Sequence, residues 1–273
     1  MSKKKDLHHP FLSPFPKICA HRGDSAYYPE NTLPAFLSAG ELGADCIESD
    51  VHLTADGECV LWHDASVDRM TDGKGPISSF TLSQLKHLDA GYGYEDDQGQ
   101  HPFRNTGITI PTLAEVLEAL PDMRFNLDLK GTSRKLAERF VDTIYAYKAR
   151  HRVLGASFHY RQLKRIRKMA PDMLTSFSVA EVRRLLLWNA GGLISICFPF
   201  AGRTLQVPEC SGKIRIVTEG LIRHLHKHGI SVQVWTVNEE ADMRRLLAMG
   251  VDGIITDDPR LLIRVLKDPP PIG

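Results

Sequence analysis

Neither sign of charge prevails in this 273-residue chain: 34 Lys and Arg stand against 33 Asp and Glu, leaving a formal +1. Such a balance gives no global attraction for nucleic acid or an acidic membrane surface, so any partner must be read locally. Cysteine is scarce too. The five present (Cys19, Cys46, Cys59, Cys197, Cys210) show no close pairing, and no basic-then-apolar leader precedes a small-residue cleavage site, which points to a reducing cytoplasm. Long apolar runs are missing with one exception, residues 185–202, which carry no charge and just reach the length of a membrane span. Asn189, the Gly191-Gly192 pair and Pro199 punctuate that run. A helix end, a turn and a short buried strand at 193–197 explain it better, and no transmembrane segment is expected. Internal repeats and low-complexity linkers are absent as well.

What is there is an ordinary globular composition, 42% hydrophobic and 25% charged, which excludes a collagen-like, coiled-coil or wholly disordered chain. Short β-branched or apolar runs alternate with helical patterns along almost the whole length, the signature of βα units around a parallel sheet. Eight candidate strands fall at 18–20, 46–51, 125–129, 154–157, 174–177, 193–197, 232–235 and 253–256. Helix starts are marked by Asn31-Thr32, by the capping box Thr112-x-x-Glu115 and by Asn238, with Asn31 read chiefly as a cap. Eight such pairs close a (β/α)₈ TIM barrel, which takes roughly 250 residues. Residues 17–267 form that domain, with 1–16 and 268–273 as loose tails.

A ninth apolar run, 59–62, fits the count only as a hairpin return. Asp56-Gly57 is a two-residue turn signal, so 59–63 folds back antiparallel on the second strand. With Ala55 facing Glu58, Asp50 lies opposite His63. Residues 91–107, Gly-rich and polar, read as a long loop of the kind that covers substrates in barrels.

Barrel chemistry hangs from the carboxyl ends of the strands, and there the sequence concentrates polar groups. His21-Arg22-Gly23 ends the first strand, Glu48-x-Asp50 lies in the second, His63-Asp64 ends the hairpin return, and Asp128-x-Lys130 closes the third strand. Alternation puts Glu48 and Asp50 on one face, and likewise Asp128 and Lys130. Carboxylates so placed repel unless a cation compensates them, and three hard oxygen donors suit Mg²⁺ or Ca²⁺ better than zinc. His21 and His63 beside them form a pair able to remove one proton and deliver another. Arg22 and Lys130 add fixed positive charge suited to phosphate oxygens. Together these are the ingredients of metal-assisted phosphoryl chemistry.

The runs His21-Arg22-Gly23, Pro29-Glu30-Asn31-Thr32, Glu48-Ser49-Asp50-Val51 and Thr54-Ala55-Asp56-Gly57 through His63-Asp64 closely resemble the glycerophosphodiester phosphodiesterase family. So do 126–130, Ser157-Phe158, 235–238 and 250–257. The resemblance implies a barrel that hydrolyses glycerophosphodiesters to glycerol 3-phosphate and an alcohol with one divalent cation. Glu48, Asp50 and Asp128 then look like metal ligands, His21 and His63 like the acid/base pair, and Arg22 and Lys130 like the phosphate holders. Glu30 is expected in the site or just behind it, and Trp235 as a wall of the glycerol pocket. One departure is that many members carry Glu where this chain has Asp128. That shorter side chain also resembles members acting on lysophospholipids and the related sphingomyelinase D type enzymes. A lysophospholipase D or cyclising phospholipase is therefore the competing reading, and 194–200 with Leu205 and Val207 its candidate acyl surface. A non-catalytic phosphate-binding barrel is a lesser alternative. Oligomeric state is left open.

Overall fold

The computed structural model describes residues 9–15, 17–190 and 201–268. Its strands are β1 (Ile18–His21), β2 (Cys46–Leu53), β3 (Cys59–Leu61), β4 (Phe125–Leu129), β5 (Val153–Ala156), β6 (Leu174–Thr175), β7 (Thr204–Val207), β8 (Cys210–Ser211), β9 (Ile214–Arg215), β10 (Ser231–Val234) and β11 (Gly253–Thr256). The spatial order β6-β5-β4-β2-β1-β11-β10-β7 is parallel throughout. A parallel bridge between Ser176 and Thr204 brings the two ends together, so eight strands close a (β/α)₈ barrel. Helices follow the strands. Thr112 and Glu115 exchange side-chain and backbone bonds as a capping box, and Asp258 caps the last helix, its carboxylate accepting from Leu261 N at 2.8 Å. The helix Tyr160–Met169 buries Leu163 and Ile166 and exposes Arg161, Lys164 and Lys168, an apolar stripe at helical spacing.

Two strand assignments from sequence change. The sixth barrel position is filled by β7, whose Leu205 and Val207 pair with β10; the run 193–197, expected there, lies outside the described residues. The apolar run was the stronger hydrophobic signal, whereas β7 offers only the four-residue alternation Thr204-Leu205-Gln206-Val207. The hairpin also differs by one residue. Val51 faces Leu61 and Leu53 faces Cys59, while Thr54 N donates to Glu58 O at 3.0 Å, so the loop is Ala55-Asp56-Gly57 and Asp50 lies opposite Trp62 rather than His63. Gly57 sits at φ 94°, the left-handed position that ends a three-residue hairpin loop. Asp56 accepts from Thr54 and from Leu82 N, which favours the longer turn.

Among the described residues the apolar interior is divided four ways. One cluster lies between the first half of the barrel and its helices, around Phe36, Phe125 and Phe140; a second does the same for the other half, around Leu205, Leu225 and Leu246. A third, including Trp62, Met70 and Ile110, supports the excursion between β3 and β4. The fourth fills the barrel floor with Cys19, Cys46, Leu154 and Ile255, and Phe11 and Leu12 plug it from below. Those two residues fall in the stretch expected as a loose terminus, yet Pro10–Leu12 forms a 3₁₀ turn and Phe11 is 1% exposed. Arg124 holds the plug by donating to the carbonyls of Phe11 and Pro14.

Candidate active site

Alternation along the strands carries one set of side chains from floor to mouth. Cys19 is followed by His21 on β1, Cys46 by Glu48 and Asp50 on β2, and Asn126 by Asp128 on β4. Parallel register sets His21 beside Glu48, Glu48 beside Asn126, and Asp50 beside Asp128. These residues, with Arg22, His63, Lys130 and Trp235, line one cavity of about 600 Å³ at the carboxyl ends of the strands. Thus eight of the nine residues expected at the site converge. Glu30 stands behind the wall, accepting from Arg22 Nη1 at 3.0 Å. The loop 91–107 contributes none of the lining; Tyr94 from it donates to Ala26 O and braces the turn after β1.

The carboxylates are nearly dry: Asp50 is 2%, Asp128 7% and Glu48 9% exposed. Lys130 Nζ lies 2.8 Å from both Asp50 Oδ1 and Asp128 Oδ2 and supplies part of the compensating charge. Burial opposes its ionisation, but the two carboxylates lift the ammonium above the ordinary lysine range. One ammonium does not suffice. Burial, then the charge of Asp50, pushes Glu48 up to about 8, and burial also raises Asp128. Glu48 Oε2, Asp128 Oδ1 and Asn126 Oδ1 are buried without a hydrogen-bond partner. Buried oxygens of this kind are costly unless something neutralises them. The donor set therefore fits a hard divalent cation, with Lys130 holding two of the carboxylates. In this conformation no three His, Cys, Asp or Glu groups are closed around a common point among the described residues.

Each histidine has its own carboxylate. His21 Nδ1 lies 2.6 Å from Asp257 Oδ1 and its Nε2 3.8 Å from Glu48 Oε2. Burial lowers the imidazole's affinity for a proton, but the Asp257 bond and the Glu48 charge outweigh it and raise the net value. Asp257 shifts the other way, against burial, because it bonds His21, and Asn238 and Ser25 also donate to it. His63 Nδ1 meets Asp64 Oδ1 at 2.8 Å, and Asp64 in turn accepts from Arg69 Nε at 2.6 Å.

Local backbone geometry aims these groups. Gly23 sits at φ 91°, and a Cβ there would lie 2.7 Å from the Ala35 backbone, which explains the glycine in His-Arg-Gly. Arg22 and Asn31 occupy the left-handed region at φ 59° and 57°, each at a cost of roughly 1–3 kcal/mol. Asn31 does not cap the first helix. Thr32 is the N-cap, while Asn31 is fully buried, accepts from Ser49 Oγ at 2.6 Å and donates to Asp50 Oδ2 at 3.4 Å. Asn238 likewise leaves the cap position to Glu239 and bonds Asp257 and Thr256. Sequence reasoning missed Asp257, Asn126, Ser25 and Arg69 as members of this network. Asp257 had a signal in its place just after the last strand, where barrel chemistry sits.

The far side of the cavity is mostly apolar, with Arg183 and Gln206 among its polar members. Phe158, Phe177, Val182, Leu186, Ile214 and Ile216 line it, and Phe158 stacks on Trp235 with centroids 6.1 Å apart. Of the expected acyl surface, 194–200 lies outside the described residues, Leu205 packs in the outer core, and Val207 reaches the cavity. Among the described residues no helix is long and apolar enough to cross a membrane.

Comparison with known proteins bears on this geometry. Residues 21–261 match the model of the glycerophosphoryl diester phosphodiesterase family. A glycerophosphodiester phosphodiesterase from Caldanaerobacter subterraneus subsp. tengcongensis is 37% identical over 92% of this chain and 97% of its own. A human lysophospholipase D is 27% identical over 92% of this chain and 85% of its own. The structure of an Oleispira antarctica phosphodiesterase in complex with the product sn-glycerol-3-phosphate superposes with a TM-score of 0.78 at 27% identity, covering 94% of this chain and 99% of that one. With a barrel whose mouth gathers this chemistry and a family match over most of its length, the chain belongs to the glycerophosphodiester phosphodiesterase family and is a phosphoric diester hydrolase.

Proposed function

We propose that this enzyme hydrolyses glycerophosphodiesters to glycerol 3-phosphate and an alcohol, with His21 and His63 as a proton-transfer pair and Glu48, Asp50 and Asp128 as ligands of one divalent cation, Mg²⁺ or Ca²⁺. The observation that carries the reading is the pair of imidazoles, each with a carboxylate at Nδ1, flanking buried carboxylates of which Glu48 and Asp128 each keep one oxygen without a hydrogen-bond partner. When bound, the cation supplies Lewis-acid polarisation of a phosphoryl oxygen. Arg22 and Lys130 orient the phosphate and offset the charge that grows as the diester reacts. Because Asp257 engages Nδ1 of His21, that ring presents Nε2 to the reacting centre, where it accepts the proton of the nucleophile. His63, held at Nδ1 by Asp64, delivers a proton from Nε2 to the departing alkoxide. The nucleophile is water or the neighbouring glycerol hydroxyl, the latter expelling the alcohol to give a cyclic phosphate that water then opens to glycerol 3-phosphate.

A second reading is favoured by the apolar wall. A surface built from Phe177, Val182, Leu186 and Ile214 has no obvious use for a small headgroup but suits the chain of a lysophospholipid. The human relative bearing the name lysophospholipase D supports the same alternative. One experiment separates the cases: glycerophosphocholine and lysophosphatidylcholine are assayed side by side with Mg²⁺, Ca²⁺ or chelator, with phosphorus NMR of the products. Release of glycerol 3-phosphate from the first supports the main reading; choline release from the second, with or without a cyclic product, supports the alternative. Full turnover under exhaustive chelation would sink the cation. Four free cysteines among the described residues, three of them buried, are in keeping with a cytoplasmic location.

A further inference from the structure

The cavity wall includes Arg22 and His63, which lie on different loops and carry different parts of the proposed chemistry. Behind them runs a continuous line of charged contacts. Arg22 Nη1 donates to Glu30 Oε1 at 3.0 Å. Both oxygens of Glu30 are gripped by Arg69, with Nη2 to Oε1 at 2.6 Å and Nη1 to Oε2 at 3.0 Å. The remaining edge of the same guanidinium, Nε, donates to Asp64 Oδ2 at 2.6 Å, and Asp64 Oδ1 meets His63 Nδ1 at 2.8 Å. Arg69 does not line the cavity.

We propose that Arg69 is a positioning residue that joins the phosphate-holding arm and the proton-carrying arm of the site, through Glu30 and Asp64, into one unit. This rests on the roles assigned above to Arg22 and His63. A planar fork with donors on two edges can hold two carboxylates at fixed angles, which a lysine ammonium on a flexible stem cannot do. The side chain is 46% exposed, and ion pairs so open to water contribute little to stability. Its contacts are better explained by orientation than by holding the fold. The ring of His63 is itself 34% exposed, so its direction depends on the partner at Nδ1. Burial alone would raise Asp64, but its bonds with Arg69 and then His63 hold it below the ordinary carboxylate range, and so available as an acceptor for that ring.

The test compares Arg69→Ala, Arg69→Lys, His63→Ala and the double variant His63→Ala/Arg69→Ala on glycerophosphocholine, with melting temperature recorded for each. Arg69→Ala is expected to lower kcat about 10- to 100-fold, the usual effect of removing an outer partner, and to raise KM severalfold because Arg22 loosens with Glu30. A variant that is merely part-unfolded loses kcat at unchanged KM. Arg69→Lys, which keeps the charge but not the fork, stays close to Arg69→Ala. In the His63→Ala background, Arg69→Ala causes no further loss of kcat, since the ring it orients is gone, while the rise in KM persists. The proposal is overturned if KM is unchanged in Arg69→Ala, if lysine restores full activity, or if the kcat factor is the same in both backgrounds. Should His63→Ala itself turn over at the wild-type rate, the proton-transfer reading falls and this proposal with it. Should His63→Ala be slow and Arg69→Ala uncoupled from it, the proposal alone fails.

Discussion

The two sides of the barrel mouth are built on opposite physical terms. Strands β1, β2 and β4 and the residue after β4 deliver His21, Glu48, Asp50, Asp128 and Lys130, a charged set whose three carboxylates are buried and whose Glu48 Oε2 and Asp128 Oδ1 lack hydrogen-bond partners. Across the cavity, the segments after β5, β6 and β7 deliver Phe158, Phe177, Ile214 and Ile216, which are inexpensive to bury and make no directional demands. The charged side sacrifices stability for pre-organised electrostatics, and left-handed residues at Arg22 and Asn31 add to the cost. The apolar side has shape and area to offer, so it can discriminate between substrates without touching the reaction.

If that division holds, the largest effects come from the charged side and do not depend on the substrate. His21→Ala and His63→Ala should each lower kcat by roughly 10²- to 10⁴-fold, equally for glycerophosphocholine and lysophosphatidylcholine, as read by initial rates of product release. A defect confined to one substrate would break the comparison. Next comes Lys130→Met, which strands the buried Asp50 and Asp128. Its melting curve without divalent cation should show a loss of about 3 kcal/mol, with Mg²⁺ or Ca²⁺ restoring more of the melting temperature than in the wild type.

The apolar side should behave otherwise. Leu186→Lys and Val182→Asp place charge on the wall and should raise KM for lysophosphatidylcholine about 10-fold or more, from the loss of roughly 1.5–3 kcal/mol of apolar contact. Values for glycerophosphocholine should stay within twofold, and a matching rise for both substrates would show that the wall serves the headgroup. The smallest effect is expected at Trp235→Ala. Losing its stack on Phe158 removes about 0.5–1.5 kcal/mol, a change of a few-fold in KM with kcat nearly unaltered in the same assay.

The charged side was legible in the sequence because its residues sit at strand ends in short motifs, where alternation by twos fixes their direction. His21, Glu48, Asp50 and Asp128 were placed this way, and they share one cavity. The apolar side was not legible. Phe177, Val182 and Leu186 carried no signal of their own, since an apolar residue facing a cavity and one facing a helix look alike in sequence. The hairpin shows a finer limit. Asp56-Gly57 identified the turn correctly, but a loop one residue longer is stabilised by contacts of Asp56 with Thr54 and Leu82, and this moved Asp50 from His63 to Trp62. His63 nevertheless lines the cavity.

By itself, the sequence determined the alternation of strands and helices, the hairpin return and the inward direction of the carboxylates, all consequences of local periodicity and turn chemistry. Only the tertiary structure decided which charge meets which. Asp257 holds His21 from 236 residues away, Arg69 grips Glu30 across 39, and β7 takes the sixth place in the barrel. Such pairings are set by ring closure and by the need to satisfy buried charge, and neither is written in any short window of the chain.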